Sequence, residues 1–586
     1  MLLPDVRMLK RGVRFCLFLL LLSGCVPVAQ SVSPLPTATV TVLPSPTITP
    51  SPTPTATPTA IPTPVPTVSL GFLVAETPVV PAAAPTVPLL LPTPLPDPAA
   101  LPGRVIPDPC GVNIHFTTPD PGELALLKAG GFRFVRMDLF WHLIEREKGQ
   151  YDFSEYDALV ATMTQQGIRI IFILDYGNDL YGGGGAPHYS EEGLAAFARF
   201  AAAAARRYPH KDVIWEIWNE PNLEKYWHAP ADPVQYAQVA ATVVAAIRRA
   251  DPTAWIVGPA TSGFPWDYIT ALAAQGVLNR LDAVTVHPYR LDEPESVWGD
   301  YLRLREILDR ASPDRRIPIV SSEWGYPTVE GVPETEQAQY LTRQWLFHLA
   351  SDVDLSIWYD WRNDGEDPHD VQANFGTVTY NLVPKPAYLA AQTLNETLNG
   401  YQFQRRLPLG GPADYVLLFR KGNQIALAAW TPGEAHTIAL PLPCDTVDVV
   451  EMTGETGTLT ADEGQFTLQL QPSPRYLHLC DSEMLLRSAL WRPTNSIHTL
   501  SAEGVGRVLV EIENPFHETL QGELQVLAEG QVLGTAMVRV RPGELAKVSV
   551  PVTVADSVEG VLPAVVVFST PDSLPLQSAV IWLIVL

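Results

Sequence analysis

Two glutamates follow two apolar runs that have the composition of buried strands. The run 214–218, Ile-Trp-Glu-Ile-Trp, leads into Asn219 and Glu220, and the run 317–320, Ile-Pro-Ile-Val, leads into Ser-Ser-Glu323. Two carboxyl groups held across one cleft can attack the C1 atom of a sugar from one side and protonate the leaving oxygen from the other. The pair Glu220 and Glu323 therefore predicts acid and nucleophile chemistry on a glycosidic bond.

A regular alternation of strands and helices surrounds these motifs from about residue 111 to residue 398. The predicted strands are 111–116, 132–137, 169–175, 213–218, 255–258, 283–287, 317–322 and 355–359. Eight strands separated by amphipathic helices predict the α/β class and a (β/α)8 TIM barrel, which we place at residues 105–400. A doubly wound sheet is the alternative, but no Gly-rich phosphate loop supports it here.

Helix start signals support the alternation. Asp232 precedes Pro233 and Gln235, which gives an N-cap acid, a proline at the first helical position and a glutamine at the third. In the same manner, Ser154 is predicted to cap a helix over residues 155–166.

Polar residues concentrate at the C-terminal ends of the predicted strands, where the βα loops of a TIM barrel converge. These residues are His115, Arg136, Asp138, Asp175, Asn219, Glu220, His287, Tyr289, Glu323 and Trp358. Glu220 and Glu323 follow the fourth and seventh strands, so we expect them to face one another across the barrel mouth.

The motifs resemble a known group of enzymes. The segments 218–221, 287–289 and 322–325 look like the retaining β-glycoside hydrolases of clan A. The segments 136–141 and 145–153 are similar to family 39 and its bacterial exopolysaccharide-cleaving and β-xylosidase-like members. The resemblance covers about residues 111–398. It is specific because the motif on strand four is accompanied by a glutamate on strand seven.

The resemblance implies a role for each matching residue. Glu220 would be the general acid/base and Glu323 the nucleophile, with Asn219 bonded to the sugar 2-OH. Arg136 and Tyr289 would keep Glu323 ionised and oriented. The alternative for Arg136 is a simple ion pair with Asp138 or another neighbour, and a non-catalytic barrel that keeps its acids is the alternative for the whole site.

Four further residues are candidates for substrate contacts. Trp358 would form the floor of the subsite of the reacting sugar, and His115 and His287 would hydrogen-bond near the nucleophile. Trp141 is either a sugar platform or a packing residue, and both histidines have a structural role as their alternative. The acidic run 360–370 is most simply a solvated loop, with a calcium site as the second interpretation.

The charge of the chain limits its partners. The 586 residues include 63 Asp and Glu against 39 Lys and Arg, with a formal net charge of −24. This excess of carboxylates disfavours nucleic acid and anionic lipid head groups as ligands. No Cys-x-x-Cys or Cys/His cluster indicates a metal site, and the predicted chemistry requires no cofactor.

Residues 1–25 have the pattern of an export signal. Four basic residues precede an apolar run, 15–22, that is too short to span a bilayer. The following Leu-Ser-Gly-Cys25 resembles a bacterial lipobox, which implies lipidation of Cys25 and a lipid anchor on the outer face of a bacterial cell membrane. An ordinary secretory signal is the alternative.

A proline-rich segment follows the signal. Residues 31–100 hold 19 Pro and 14 Thr, no Lys or Arg, and only two acids. Such a sequence cannot bury enough apolar surface to fold, so residues 26–104 are predicted to be a disordered, semi-rigid stalk. Because residues 1–30 carry +3 and residues 31–100 carry −2, residues 101–586 carry −25.

Short alternating strands replace the barrel pattern beyond residue 400. They predict a β-sandwich at residues 401–481, packed on the barrel, and an immunoglobulin-like β domain at 482–586. Cys444 and Cys480 are the preferred disulfide pair in an oxidising exterior. The last domain is read as a spacer, with glycan binding as the alternative.

Together these observations predict a surface-anchored retaining β-glycosidase that acts on an extracellular or matrix polysaccharide. We favour endo-cleavage over exo-cleavage, because a long Gly-rich loop after strand three and a long loop after strand eight would build a cleft for a polymer. The alternatives are an exo-acting β-xylosidase or β-glucosidase and a non-catalytic glycan-binding lipoprotein.

Overall fold

The structure is a computed structural model that describes residues 101–586 except 183–185, 210–212, 330–331, 408, 412, 441–444, 463–465, 480–490, 496, 515–518, 529–530, 543, 556–559, 570–577 and 586. Cys25, the predicted signal and stalk up to residue 100, and both members of the predicted Cys444–Cys480 bridge lie outside the described residues. Cys110 is described and is a buried free thiol.

Eight parallel strands form a closed barrel, as predicted. They are β1 (Cys110–Asn113), β2 (Phe134–Phe140), β3 (Arg169–Asp175), β4 (Val213–Ile217), β5 (Trp255–Ser262), β6 (Ala283–His287), β7 (Ile319–Trp324) and β8 (Leu355–Trp358). Each strand pairs with its neighbour in the chain, and β1 pairs with β8 to close the ring. The strand order therefore places β4 opposite β8 across the barrel.

Helices cover the outside of the barrel. In the described residues they are α1 (Glu123–Ala129), α2 (Trp141–Ile144), α3 (Ser154–Gln166), α4 (Glu191–Arg207), α5 (Glu224–Trp227), α6 (Pro233–Ala250), α7 (Trp266–Ala274), α8 (Trp298–Ala311), α9 (Glu334–Ala350) and α10 (Pro386–Thr397). None of these described helices is long and apolar enough to cross a membrane.

The two predicted helix starts have different outcomes. Asp232 caps α6 as expected, because its side chain accepts hydrogen bonds from the N–H groups of Val234 and Gln235. The prediction for Ser154 is wrong, since this residue is the first of α3 and its N–H donates to Asp152 at 3.0 Å. The carboxylate of Asp152, two residues before Ser154, thus accepts a hydrogen bond from the N–H at the start of the helix.

The barrel strands are buried on both faces, which explains their continuous apolar runs. One apolar cluster is contributed by seven of the strands and includes Phe134, Ile171, Ile214 and Val320. A larger cluster lies between the strands and the helices. This packing on two sides fixes the strand ends that carry the polar side chains.

A β-sandwich follows the barrel. Six strands form one sheet in the order β14 (Thr456–Thr460), β13 (Thr446–Val450), β16 (Arg475–Leu479), β11 (Gln424–Trp430), β10 (Tyr415–Lys421) and β9 (Gln402–Leu407), and β12 (His436–Leu440) pairs with β15 (Phe466–Leu470). The two sheets share an apolar core, while Leu417, Phe419 and Trp430 belong to the cluster of the barrel. The predicted packing of the sandwich on the barrel is confirmed.

The last described part is also all-β. One sheet contains β17 (Trp491–Pro493), β19 (Val505–Glu513) and β22 (Leu545–Thr553), and the other contains β18 (Ile497–Leu500), β24 (Ser578–Val585), β23 (Gly560–Ser569), β20 (Leu520–Ala528) and β21 (Gln531–Val540). The two sheets share one core. A β-sandwich is therefore present, and the immunoglobulin-like type of this domain stays a prediction.

Candidate active site

The chain after β4 turns sharply and presents Glu220. Trp218 and Glu220 have φ values of 68° and 46°, in the left-handed region that side chains other than glycine rarely adopt. The N–H of Glu220 donates to the carbonyl oxygen of Ala260 at 3.0 Å, and Ala260 itself has a φ of 54° at a bulge in β5. Such strained positions cluster at functional sites, because the surrounding structure must hold them.

A second irregularity presents Glu323. The pairing of β7 with β8 shifts register between Ser321 and Trp324, so the bulge contains Glu323. Directly after it, a Cβ atom on Gly325 would lie 1.5 Å from the carbonyl oxygen of Tyr359, so the close approach of the two chains requires glycine. Bulges beside active sites commonly re-aim a side chain.

The two glutamates lie close together at the barrel mouth, although β4 and β7 are not opposite in the ring. One carboxylate oxygen of Glu220, one of Glu323 and a ring nitrogen of His287 all lie within 4.8 Å of one another. Retaining glycosidases hold their carboxyl groups about 5–5.5 Å apart, whereas inverting enzymes need about 6.5–9.5 Å to admit a water. The spacing of Glu220 and Glu323 suits direct attack on the sugar by one of them.

Arg136 occupies the centre of the site and is buried. Its Nε donates to Glu216 at 2.6 Å, and its two terminal nitrogens donate to Glu323 at 2.6 Å and to Asn219 at 2.9 Å. The ion-pair partners are Glu216 and Glu323 rather than Asp138. The planar guanidinium of Arg136 therefore orients Glu323, the nucleophile candidate, and Asn219, which precedes the acid candidate in the chain.

His287 contacts Glu220 and the Arg136 that pairs with Glu323. Its Nδ1 lies 3.0 Å from Glu220, and its Nε2 lies 3.1 Å from the Ser322 hydroxyl and 3.3 Å from Arg136. The ring is fully buried, so its partners are side chains and it cannot contact substrate directly in this arrangement. The predicted substrate contact of His287 is therefore absent from this arrangement, and its contacts are those of a positioning residue.

The surroundings of Glu323 favour its ionised form. Burial raises the pKa of this carboxyl, but the charges of His287 and Arg136 and the hydrogen bonds from Tyr289 and Arg136 outweigh it, so the pKa is lowered. The Tyr289 hydroxyl donates to Oε1 at 2.8 Å, and the Asn113 amide lies 3.5 Å from Oε2. A carboxyl held ionised in this way is suited to act as a nucleophile.

Replacement of Tyr289 by phenylalanine should raise the pKa of Glu323, because one hydrogen bond to the ionised carboxylate is lost. Activity that requires ionised Glu323 falls as the pH drops through this pKa. We therefore expect the acidic limb of the profile of kcat/KM against pH to move to higher pH, with a smaller loss at neutral pH. An unchanged acidic limb would contradict the assigned role of Tyr289.

Asn219 is held between two side chains. Its Oδ1 accepts from Arg136, and its Nδ2 donates to the Tyr176 hydroxyl at 3.1 Å. Its position beside both glutamates fits the predicted contact with the 2-OH of a sugar, which remains a prediction.

The two tryptophans predicted as sugar contacts are buried. Trp358 has no exposed surface and packs against Tyr326, so it cannot present a ring face as a subsite floor in this structure. Trp141 also has no exposed surface, because α2 directs its ring into the helix layer against Phe197 and Phe200. The packing interpretation of Trp141 is confirmed, and the platform interpretation is wrong.

Replacement of Trp141 by alanine should therefore affect stability more than binding. We expect a decrease of about 3–5 kcal/mol in the free energy of unfolding, as for other large aromatic deletions in a core. Denaturant unfolding would measure this decrease, and the KM of the folded fraction should stay close to that of the unchanged chain. A raised KM with unchanged stability would restore the platform interpretation.

His115 lies apart from the nucleophile. Its Nε2 forms an ion pair with Asp360 at 3.3 Å, and its ring packs on the edge of Tyr359. Burial lowers the pKa of His115, but Asp360 and its acidic neighbours outweigh this effect and raise the pKa to about 10. The predicted contact of His115 near Glu323 is therefore replaced by a contact with the loop after β8.

Several residues of the site were not predicted from the sequence. Asn113 contacts Glu323, and Ser322 contacts His287. The Tyr176 hydroxyl accepts a hydrogen bond from Asn219. Burial and the neighbouring carboxyl of Asp138 raise the pKa of Asp175 well above its usual range. The sequence identifies Asp175 as a polar residue at a strand end. No sequence pattern reveals that the pKa of this carboxyl is raised.

Within the described part of the chain, two residue groups have the donor types and spacing of cation sites. The first is Glu220, His287 and Glu323, and the second is His115, Asp360 and Asp364. In the first group Arg136 already supplies positive charge to Glu323.

Comparison with known proteins relates the barrel to glycoside hydrolases. The family model described as Cellulase (glycosyl hydrolase family 5) matches residues 111–365. The solved structure of a family 39 glycoside hydrolase from Bacteroides cellulosilyticus superposes with a TM-score of 0.57 at 25% identity, covering 64% of this chain and 82% of that chain. The barrel is therefore similar to those of glycoside hydrolases.

Two curated proteins are also similar to part of the chain. It is 24% identical over 244 residues to a β-xylosidase of Geobacillus stearothermophilus, covering 37% of this chain and 46% of that protein. It is 22% identical over 295 residues to a β-xylosidase of Caldicellulosiruptor saccharolyticus, covering 45% and 57%. The chain thus spans about half the length of the curated relatives it matches.

Proposed function

We propose that the protein is a retaining β-glycoside hydrolase of the family 39 type that works by double displacement. The observation that carries this proposal is the spacing of Glu220 and Glu323, whose nearest carboxylate oxygens lie within 4.8 Å. The lowered pKa of Glu323 supports its role as the nucleophile. Glu220 is then the general acid and base.

In the first step, a carboxylate oxygen of Glu323 forms a bond to the sugar C1 while the bond from C1 to the leaving oxygen breaks. Glu220 gives its proton to that oxygen. In the second step, Glu220 takes a proton from water, the water oxygen attacks C1, and the bond to Glu323 breaks. Each glutamate returns to its starting state, and Arg136 keeps Glu323 in place throughout.

The arrangement of two cavities supports endo-cleavage. One cavity of about 290 Å³ lies between the loops after β1 and β8, and another of about 390 Å³ lies at the loops after β4 and β5, beside Asn222 and Trp266. Since β8 and β4 are opposite in the barrel, the two cavities lie at opposite parts of its rim. A chain of sugars could occupy both sides, and a polysaccharide is therefore the proposed substrate.

The test is to follow the anomer released by the full chain from β-linked substrates by proton NMR, beginning with β-xylans and aryl β-xylosides because the curated relatives are β-xylosidases. A β-anomer formed first, with internal cleavage products from the polymer, is expected. An α-anomer formed first would contradict the mechanism, and only terminal release would contradict endo-action. Glycan binding without any turnover would favour the alternative, a binding protein.

We also propose that the protein is exported and anchored through a lipid on Cys25. Labelling of expressing bacteria with a fatty-acid probe should tag the chain, and Cys25→Ser should abolish the label and release the protein from the membrane fraction. A labelled Cys25→Ser chain would contradict this proposal.

A further inference from the structure

Both β domains contact the barrel at one segment of the loop that follows β6. A 3₁₀ helix, Pro294–Val297, runs directly into α8 at Trp298, and we call residues 294–300 the 294–300 segment. The segment follows Tyr289 in the same loop, and the Tyr289 hydroxyl donates to Glu323 at 2.8 Å. Contacts that hold this segment therefore bear on a group that touches the nucleophile candidate.

The β-sandwich reaches the segment through a buried hydrogen bond. Trp430 of β11 has no exposed surface, and its indole N–H donates to Oε1 of Glu295 at 2.6 Å. Arg343 of α9 is 1% exposed and donates to both oxygens of the same carboxylate, at 2.8 and 2.5 Å. Because a buried carboxylate depends on all its partners, Glu295 is fixed relative to both the sandwich and α9.

The last β domain reaches the same segment through an aromatic contact. The ring of Trp582, on β24, lies 5.3 Å from the ring of Trp298. Trp298 also packs on Phe347 of α9 at 5.5 Å, and Phe347 packs on Tyr415 of the sandwich at 6.0 Å. These spacings are typical of aromatic pairs that stabilise a contact. The barrel, the sandwich and the last domain therefore meet at the 294–300 segment.

Arg290 connects the segment to Tyr289, which it follows directly in the chain. Its guanidinium donates to the Asp300 carboxylate at 3.0 Å and to the Ser296 hydroxyl at 3.4 Å, and both residues belong to the segment. The same guanidinium lies 5.8 Å from the ring centroid of Trp324. A displacement of the segment would therefore pull on the residue beside Tyr289.

The Glu323 carboxylate is faced by charged and titratable groups from several elements. They are Arg136 of β2, Glu220 after β4, His287 at the end of β6, and Tyr289. Of these four, Tyr289 is the group that lies in the loop after β6. Its hydrogen bond helps to lower the pKa of Glu323, so loss of this bond should raise that pKa.

We propose that the 294–300 segment positions the nucleophile: both β domains hold the segment in place, and through Arg290 it keeps the Tyr289 hydroxyl on Glu323. Glu295, Trp430 and Trp582 are then positioning residues, and the last β domain contributes to the active site instead of serving as a spacer. The consequence for activity rests on the proposed function, because it requires Glu323 to be the nucleophile.

The test follows the Glu323 carboxyl by carbon-13 NMR in the full chain labelled at the glutamate side-chain carboxyls, with Glu323→Gln to assign its signal. Trp430→Phe removes the N–H that bonds Glu295, and Trp582→Ala removes the ring that packs on Trp298. Each change should raise the pKa of Glu323 by about half a pH unit or more, because the Tyr289 hydroxyl then bonds the carboxylate less often.

Two matched controls weaken the β domains elsewhere. Gln339→Ala removes another hydrogen bond between barrel and sandwich, to the Ser473 hydroxyl at 3.0 Å. Trp491→Leu changes the core of the last domain, where Trp491 packs on Phe568. Both controls should leave the pKa of Glu323 unchanged, although Trp491→Leu should lower stability.

Two further variants test the connection without changing either β domain. Arg290→Lys keeps the positive charge but loses the fork that reaches Ser296 and Asp300 together, so it should also raise the pKa of Glu323. In a Tyr289→Phe background, Trp430→Phe should cause no further rise, because the hydroxyl that it would displace is already absent.

Three results would overturn the inference. An unchanged pKa of Glu323 in Trp430→Phe, Trp582→Ala and Arg290→Lys would leave the segment with a structural role only. A rise that adds in full to that of Tyr289→Phe would exclude Tyr289 as the intermediary, and equal rises in the two controls would indicate general loosening. The NMR titration requires no turnover, whereas cleavage of aryl β-glycosides by the unchanged chain tests the proposed function, so either proposal can fail alone.

Discussion

Replacement of Glu323 by alanine should lower kcat/KM by about 10⁴-fold or more, because the covalent step then has no nucleophile. The fold should persist, since Arg136 still pairs with the buried Glu216 at 2.6 Å and Glu323 is at the open end of this network. The measurement is kcat/KM on the best aryl β-glycoside found, with far-UV circular dichroism to confirm folding.

A small external nucleophile separates loss of the nucleophile from general damage. Azide can occupy the space left by the Glu323 carboxylate and attack C1 on the same face. It should restore part of the turnover and give a glycosyl azide of α configuration. Glu192→Gln is the control, because this glutamate is exposed and pairs with Lys148 at the surface. A loss below tenfold in Glu323→Ala, or no difference from the control, would contradict the mechanism.

Much of the barrel could be predicted from its sequence, because strands buried on both faces appear as short apolar runs between turn signals. Two strands of the sandwich, β9 and β14, were not predicted. The first reads Gln-Phe-Gln-Arg-Arg-Leu and the second Thr-Gly-Thr-Leu-Thr. Both lie at the edges of their sheet, where fewer side chains are buried and the alternation is weak.

The residue types of the site could be predicted, but several of their contacts could not. A tryptophan at a strand end has the same local pattern whether it faces the cleft or the helix layer, so the burial of Trp358 depends on distant neighbours such as Tyr326. Likewise, His115 and Asp360 are far apart in the chain and meet only because β1 and β8 close the barrel. The bulges that aim Glu220 and Glu323 also arise from strand pairing, which no local motif encodes.

Arg136→Met should lower both stability and activity, because Arg136 is the cation shared by Glu216 and Glu323. Glu216 is fully buried, and one of its carboxylate oxygens already has no hydrogen bond among the described residues. Removal of one partner from a buried ion pair typically costs about 3–5 kcal/mol, since the other charge stays desolvated. Denaturant unfolding at neutral pH should show a decrease of this size.

A second variant separates the structural role of Arg136 from its role at the nucleophile. In Arg136→Met with Glu216→Gln, the buried charge of Glu216 is removed, so much of the lost stability should return. Activity should not return, because Glu323 and Asn219 still lack the guanidinium that orients them. The pKa of Glu323 should also rise without this cation, which moves the acidic limb of kcat/KM to higher pH. Recovery of activity together with stability would mean that Arg136 only stabilises the fold. Tyr289 and His287 would then be the groups that keep Glu323 ionised.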